Sequence, residues 1–262
     1  MLLTVDIGNT NITLGLFEGE TFKGELRLAS DRDLSGAEYE VLLRSLLKDY
    51  QIDGCVIGSV VDELNGKINS AISNIFNIDP IIVGVGAKCG IVIKTDKPNE
   101  VGADRIANAT GAKRMYNTPV IVIDFGTATS FDIVNSDGEF IGGIIATGIN
   151  LQMKTLNKFT SKLPRIDAAI STNAIGSNTT EAILSGVIRG TGAMIDGLVK
   201  QCEKELGQKV TLVATGGYSG LIANYLERPF DEINPILTLQ GLKYIYELNT
   251  ADKFVSTESE QY

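Results

Sequence analysis

The chain has 262 residues, 44% hydrophobic and 21% charged, which is the composition of a globular protein with a substantial core and excludes a disordered or fibrous chain. Lys and Arg number 23 against 32 Asp and Glu, a net charge of −9, which argues against nucleic acid or an anionic membrane as the main partner, since both demand a basic face. Histidine is absent, which removes His-based triads, Cys/His zinc fingers and a histidine general base, and leaves acid–base chemistry to carboxylates, Lys, Tyr or Cys.

The opening MLLTVDIGNT carries no basic leader and reads as structure, not as a signal peptide. LLTVDI, NITLGLFEG and TFKGELRLAS then predict two or three antiparallel strands around short Gly-containing turns. Residues 36–50 place Tyr39, Leu42, Leu43, Leu46, Leu47 and Tyr50 at helical spacing. DGCVIGSVV reads as a buried strand, LNGKINSAISNIFN as a helix, and PIIVGVG and GIVIKT as further strands. A helical stretch, GADRIANATGAKRMY, precedes Pro119. PVIVIDFGTATSFDIVNSDGEFIGGIIA then repeats the opening pattern of strand, acidic Gly-Thr turn and strand. From residue 177 the chain is mostly helical apart from VTLVAT, and its last helix is predicted to start at a capping Asn234 with Pro235 in first position. The tail ADKFVSTESEQY is expected to fray. No apolar run is expected to reach the roughly 18 residues needed to span a bilayer. Cys55, Cys89 and Cys202 are odd in number and dispersed, which predicts reduced thiols. A cytoplasmic protein is the expectation.

The pairing of DIGNTN at 6–11 with DFGTAT at 124–129, each in a strand–turn–strand context, points to an internal duplication with a boundary near residues 115–118. The expected domains are therefore 1–116 and 117–262.

Several of these turns can carry chemistry. At Asp6-Ile7-Gly8-Asn9-Thr10 a glycine lets the backbone approach a ligand, successive N–H groups, Asn and Thr can ring an anion, and the carboxylate can hold a hydrated Mg²⁺. The alternative is an ordinary β-turn with a solvated Asp. Asp124-Phe125-Gly126-Thr127-Ala128-Thr129 supplies a second carboxylate with two hydroxyls. No Walker loop is present, and GVGAKCG at 84–90 misses the dinucleotide fingerprint at Cys89. In Val101-Gly102-Ala103-Asp104-Arg105, Asp104 falls in the first turn of a helix. It either caps that helix or takes a proton from a substrate hydroxyl while Arg105 holds an anionic group. Gly142 to Gly148 reads as a glycine-lined strand-to-helix turn, and Ile175-Gly176-Ser177-Asn178-Thr179 as a helix start capped by Ser177 or Asn178. Ala214-Thr215-Gly216-Gly217 follows a strand and could contact an adenosine.

Taken in order, DIGNTNITLGLF at 6–17, VGADR at 101–105, DFGTATSFD at 124–132, GGIIATG at 142–148 and IGSNT at 175–179 closely resemble the type III pantothenate kinases. More widely they resemble the acetate and sugar kinase, hexokinase and actin superfamily. The resemblance implies an α/β fold of two duplicated ribonuclease-H-like (actin-like ATPase) domains flanking a nucleotide cleft. It also implies ATP-dependent phosphorylation of the 4′-hydroxyl of pantothenate, the first step towards coenzyme A. Asp6, Ile7, Gly8, Asn9, Thr10, Asn11, Ile12 and Thr13 would cradle the ATP phosphates, and Thr127 would contact ATP from the other half. Gly102, Ala103, Asp104 and Arg105 would bind pantothenate, with Asp104 as proton acceptor and Thr179 as a further contact. Asp124 would hold a monovalent cation, K⁺ or NH₄⁺, with Mg²⁺ accompanying the nucleotide. The resemblance further implies a homodimer. Two departures stand out: Thr95 occupies the place of an aromatic at the substrate pocket, and Thr147 stands where the family usually has Pro. A sugar or carboxylate kinase of the same superfamily and a non-catalytic ATP-binding relative are the rival readings.

Overall fold

The computed structural model describes residues 1–84 and 86–258. The chain forms two compact units, each built on its own sheet.

The first unit comprises Met1–Val92, Asp96–Arg114 and the last helix. Its strands are β1 (Leu2–Ile7), β2 (Asn11–Glu18), β3 (Thr21–Ala29), β4 (Gly54–Ser59) and β5 (Ile81–Ile82), in the order β3-β2-β1-β4-β5. β1, β2 and β3 pair antiparallel and β4 and β5 add in parallel. Strand alternation sends Leu3, Val5, Ile7, Ile12, Leu14, Leu16, Cys55 and Ile57 to one face. There Tyr39, Leu43 and Leu47 of the α1 (Gly36–Leu46) region and Leu64, Ile68 and Ile72 of α2 (Asp62–Phe76) close a core over them. Leu42 and Leu46 do not join it and lie 41% and 36% exposed, so α1 buries a narrower stripe than its leucines suggest.

The opposite face carries glycines at three positions, and this explains where the last helix packs. A Cβ at Gly15 would stand 2.9 Å from Leu239 Cδ1, one at Gly58 2.9 Å from Leu242 Cδ2, and one at Gly54 would overlap the Tyr246 ring. Leu239, Leu242 and Tyr246 belong to α8 (Leu237–Glu258), which lies on this glycine floor. α8 also crosses α3 (Ala103–Met115) closely, because a Cβ at Gly241 would collide with the Ala107 carbonyl. A division into 1–116 and 117–262 therefore differs from the compact units in one main respect: the last helix returns to the first. The sequence gives no hint of this, since α8 is apolar in a way that would suit either sheet. Its start differs too. Asn234 Oδ1 accepts the Ile236 N–H at 3.2 Å, and the helix proper begins at Leu237, beyond Pro235. The helix runs on through Glu258, so the expected frayed tail is helical to that point, and residues 259–262 lie outside the described residues.

The second unit comprises Ile93–Thr95 and Met115–Ile236. Its sheet runs β11-β10-β7-β8-β9-β6, with β6 (Val92–Ile93), β7 (Val120–Phe125), β8 (Ala128–Val134), β9 (Glu139–Thr147), β10 (Thr211–Gly216) and β11 (Glu232–Ile233). β7, β8 and β9 are antiparallel, and β10 and β11 continue in parallel. Read from its meander outward this is the order of the first sheet, so the duplication expected from the paired turns is present in the topology, as two ribonuclease-H-like halves require. PIIVGVG and GIVIKT yield only two-residue strands, because positive φ at Gly84, Gly86 and Gly90 (98°, 72° and 72°) turns the chain between them. GGIIATG is strand, not turn: Gly142 and Gly143 sit inside β9 beside a register shift at Ile133/Val134, and only Gly148 begins a helix, α4 (Ile149–Lys158).

Thr179–Leu206 is one continuous helix, α5 (Thr179–Leu184) passing through a π-turn at Ser185–Arg189 into α6 (Gly190–Leu206). By length and composition it could cross a membrane, which corrects the expectation that no run is long and apolar enough. In this fold it is the core helix of the second unit. Ile183, Leu184, Val187, Ile188, Ile195, Val199 and Cys202 pack with Ile121, Ile123, Phe125 and Phe131 of the sheet.

Candidate active site

In the first unit, β1 and β2 close on Gly8-Asn9-Thr10, with the Gly8 N–H donating to Asn11 O at 3.0 Å. The register pairs Asp6 with Thr13 and Ile7 with Ile12. Ile7 and Ile12 are fully buried anchors in the core, so only their backbones face outward. Asp6 and Thr13 share the opposite face and are half-buried, while Asn9, Thr10 and Asn11 are exposed at the tip. A hairpin with apolar roots, a polar tip and a carboxylate on its flank is the arrangement a metal–phosphate ligand needs.

The Asp104 segment lies at the same edge of the same sheet. Asp6 is the register partner of Gly58 on β4, and a Cβ at Gly58 would stand 3.6 Å from Ala103 Cβ. The Val60 N–H donates to Ile7 O at 3.0 Å, and a Cβ at Gly102 would stand 3.2 Å from Val60 Cγ1. The sheet therefore brings the hairpin and the first turn of α3 together, though 90-odd residues separate them in sequence. Asp104 is half-buried, its Oδ1 accepting the Arg105 N–H at 2.7 Å. Burial pushes its carboxyl above the usual carboxylate range, against the opposing pull of that N–H and of the Arg105 charge. Gly102 is needed for space: a Cβ there would come within 2.5 Å of Asp104 Oδ1.

In the second unit Asp124 and Phe125 end β7, with Gly126 and Thr127 exposed at the turn. Phe125 is a core residue, edge-on to Phe230, and Asp124 is half-buried on the other face, paired in register with Ser130 and with Thr215. Gly148 packs so closely on this turn that a Cβ would overlap the Thr127 and Gly126 carbonyls. Asp132, two residues beyond Ser130 on the same strand face, is a fully buried carboxylate that the sequence reading passed over. Thr179 is exposed as the first residue of its helix, after Asn178, whose Oδ1 accepts the Glu181 N–H at 3.0 Å. Thr95, the position that departs from the family's aromatic, has a buried Oγ1 with no hydrogen-bond partner.

For the metals that the resemblance implies, the donors on hand are hard oxygen: Asp6 with Thr13 in one unit, and Asp124 beside Ser130 and Thr215 in the other. Among the described residues no three acidic or cysteine side chains gather into a metal cage. That fits Mg²⁺ carried mainly by phosphate and water, and a monovalent cation held by one carboxylate with neutral oxygens, but not a tightly caged structural ion.

The type III pantothenate kinase family model matches residues 2–201. A type III pantothenate kinase of Roseiflexus castenholzii is 42% identical over 254 residues, covering 95% of this chain and 99% of that protein. The chain belongs to the type III pantothenate kinase family. The counterpart from Moorella thermoacetica is 40% identical over 255 residues, covering 95% and 100%. Among solved structures, MreB 5 of Spiroplasma citri, bound to AMPPNP, matches with TM-score 0.56 at 11% identity over 98% of each chain, a likeness of fold alone. This chain thus has an actin-like fold of two related sheets.

Proposed function

We propose that this chain phosphorylates the 4′-hydroxyl of pantothenate with ATP, the first step of coenzyme A biosynthesis, using Asp104 as the proton acceptor. Membership of the family carries the reaction, and the placement of Asp104 beside the Asp6–Thr13 hairpin at one sheet edge supports the role. In phosphoryl transfer the protein mainly positions donor and acceptor and offsets charge, and proton removal from the hydroxyl is late, so a carboxylate suffices as base. Oδ1 of Asp104 is held by the Arg105 N–H, which orients the carboxylate and leaves Oδ2 to receive the proton. A carboxyl pushed up by burial is a stronger base than a solvated one. The backbone N–H groups and side chains of Gly8 to Thr13 bind the phosphates, Asp6 orients the metal–nucleotide, and Thr127 contacts ATP. Gly102, Ala103 and Arg105 hold the pantothenate, with Thr95 and Thr179 as further contacts. Asp124 would hold K⁺ or NH₄⁺, which with the Mg²⁺ of the nucleotide would supply countercharge to the phosphates. The enzyme acts in the cytoplasm as a homodimer, with neither nucleic acid nor membrane as partner. Its acidic charge is consistent with that.

The test is ATP turnover with pantothenate as acceptor in K⁺ against Na⁺, with a no-acceptor control. Acceptor-dependent ADP release that needs K⁺ is the expected result. Acceptor-independent hydrolysis, or none, overturns the reading in favour of a sibling kinase or an ATP-binding regulator.

A further inference from the structure

The segment Ser30 to Leu34, which no motif reading singled out, is tied to the phosphate hairpin through Ser30 and Arg32 and held by Tyr39 and Lys67 along the rest of its length. The Ser30 hydroxyl donates to Gly8 O at 2.5 Å and the Ser30 N–H to Thr10 O at 3.0 Å, so both sides of the hairpin tip are fastened to it. The next residue is gripped by a fully buried tyrosine: Tyr39 Oη accepts the Asp31 N–H at 2.9 Å and donates to Asp31 O at 2.8 Å. Asp31 Oδ1 accepts the Asp33 N–H at 2.9 Å, which turns that carboxylate into its own loop. Lys67 Nζ, from α2, donates to both Arg32 O and Leu34 O at 2.8 Å.

This strap presents one cation. Arg32 Nη2 donates to Asn9 Oδ1 at 3.0 Å, which puts the guanidinium at the very tip of the hairpin. Its other contact is an ion pair of Nη1 with Glu63 at 3.7 Å, between side chains 52% and 60% exposed. An exposed pair at that distance is worth little, so an anion can replace it at small cost, and among the described residues most of the guanidinium N–H donors make no hydrogen bond and are open to a ligand. The neighbouring carboxylates of Asp31 and Asp33 give the strap no net positive field, so any attraction must come from directed guanidinium hydrogen bonds. Arg is suited to that, since its planar fork matches a phosphate. Fixing the backbone on both sides of Arg32 removes much of the ordering cost of making such bonds.

We infer that Arg32 is a phosphate-binding residue that clamps the terminal phosphates of the nucleotide against the Gly8–Thr10 turn. This rests on the kinase reading of the hairpin and adds a basic residue to a phosphate site otherwise built from neutral donors and a carboxylate.

The experiment is calorimetric titration of the full chain with ATP and with AMP, for wild type, Arg32→Gln, Arg32→Lys and Glu63→Gln, each with a melting curve. A lost charge-assisted bond should weaken ATP binding roughly 10- to 100-fold in Arg32→Gln. AMP binding and the apo melting temperature should stay unchanged, and Arg32→Lys should recover part of the ATP loss. Glu63→Gln, which frees the guanidinium, should bind ATP as tightly as wild type or several-fold tighter. Unchanged ATP affinity in Arg32→Gln overturns the inference, and so does an equal loss for AMP, which would mean a disturbed hairpin. Weaker ATP binding in Glu63→Gln also overturns it. If wild type fails to bind ATP at all, it is the kinase reading itself that has failed.

Discussion

Replacing Asp104 by Asn tests the proposed base and separates catalysis from folding, because the Arg105 N–H holds Oδ1 while the proposed proton acceptor is Oδ2. Oδ1 accepts the Arg105 N–H at 2.7 Å, a bond the Asn amide oxygen can keep, while the amide nitrogen takes the place of the oxygen meant to receive the proton. Loss of a positioned base costs about 10²- to 10⁴-fold in turnover, which is about 2.7–5.5 kcal/mol of transition-state stabilisation. Stability should move the other way. Burial raises the Asp104 carboxyl above its unfolded value, so the native state disfavours the charge. The folded protein is therefore favoured while the group is protonated, and that advantage is lost as pH rises from about 4 through the raised folded pKa. The Asn variant escapes this loss. Its melting temperature should match wild type near pH 4 and equal or exceed it at pH 7. The assays are steady-state ADP release with pantothenate and thermal melts across that pH range. Turnover within a few-fold of wild type refutes the base assignment. A variant that is less stable at pH 7 than at pH 4, relative to wild type, refutes the burial argument.

Three further outcomes follow from packing. Gly102→Ala places a methyl against Asp104 Oδ1 and Val60, so it should lower kcat by about tenfold or more while leaving nucleotide affinity intact; an unchanged kcat shows that the carboxylate has room to move. Gly241→Ala sets a methyl into the Ala107 carbonyl where α8 crosses α3, a backbone clash worth about 1–3 kcal/mol, read as a fall in denaturant midpoint; no fall would mean that the helices can slide apart. Thr129→Val removes a hydroxyl that is fully buried and unpartnered beside Phe125, so it should stabilise by about 1 kcal/mol in chemical denaturation. A loss instead would reveal a buried water bonded to that oxygen.

Much of this protein is dictated locally. The β-branched and apolar runs around Asp6 and Asp124, each followed by a Gly-containing polar turn and a second such run, fix two strand–turn–strand hairpins. The Asn178 cap and the helix begun at Ala103 follow from side chains a few residues apart. The ordered motifs, read together, were enough to indicate the family and hence the reaction. What lay beyond the sequence depended on residues distant in the chain. Gly15, Gly54 and Gly58 look like ordinary strand glycines until α8 lies on them, and only that docking returns the last helix to the first unit. The glycines of β9 signal a turn by composition, yet a register shift against β8 absorbs them into a strand. The proximity of Asp104 to the Asp6 hairpin needs β4 as an intermediary, and Arg32 reaches Asn9 only because Ser30 and Tyr39 fix the intervening loop. Local propensity and pattern act over a few residues and specify the elements. Which elements meet, and so which side chains share a site, is decided by the shape and burial that appear only once the sheets have formed.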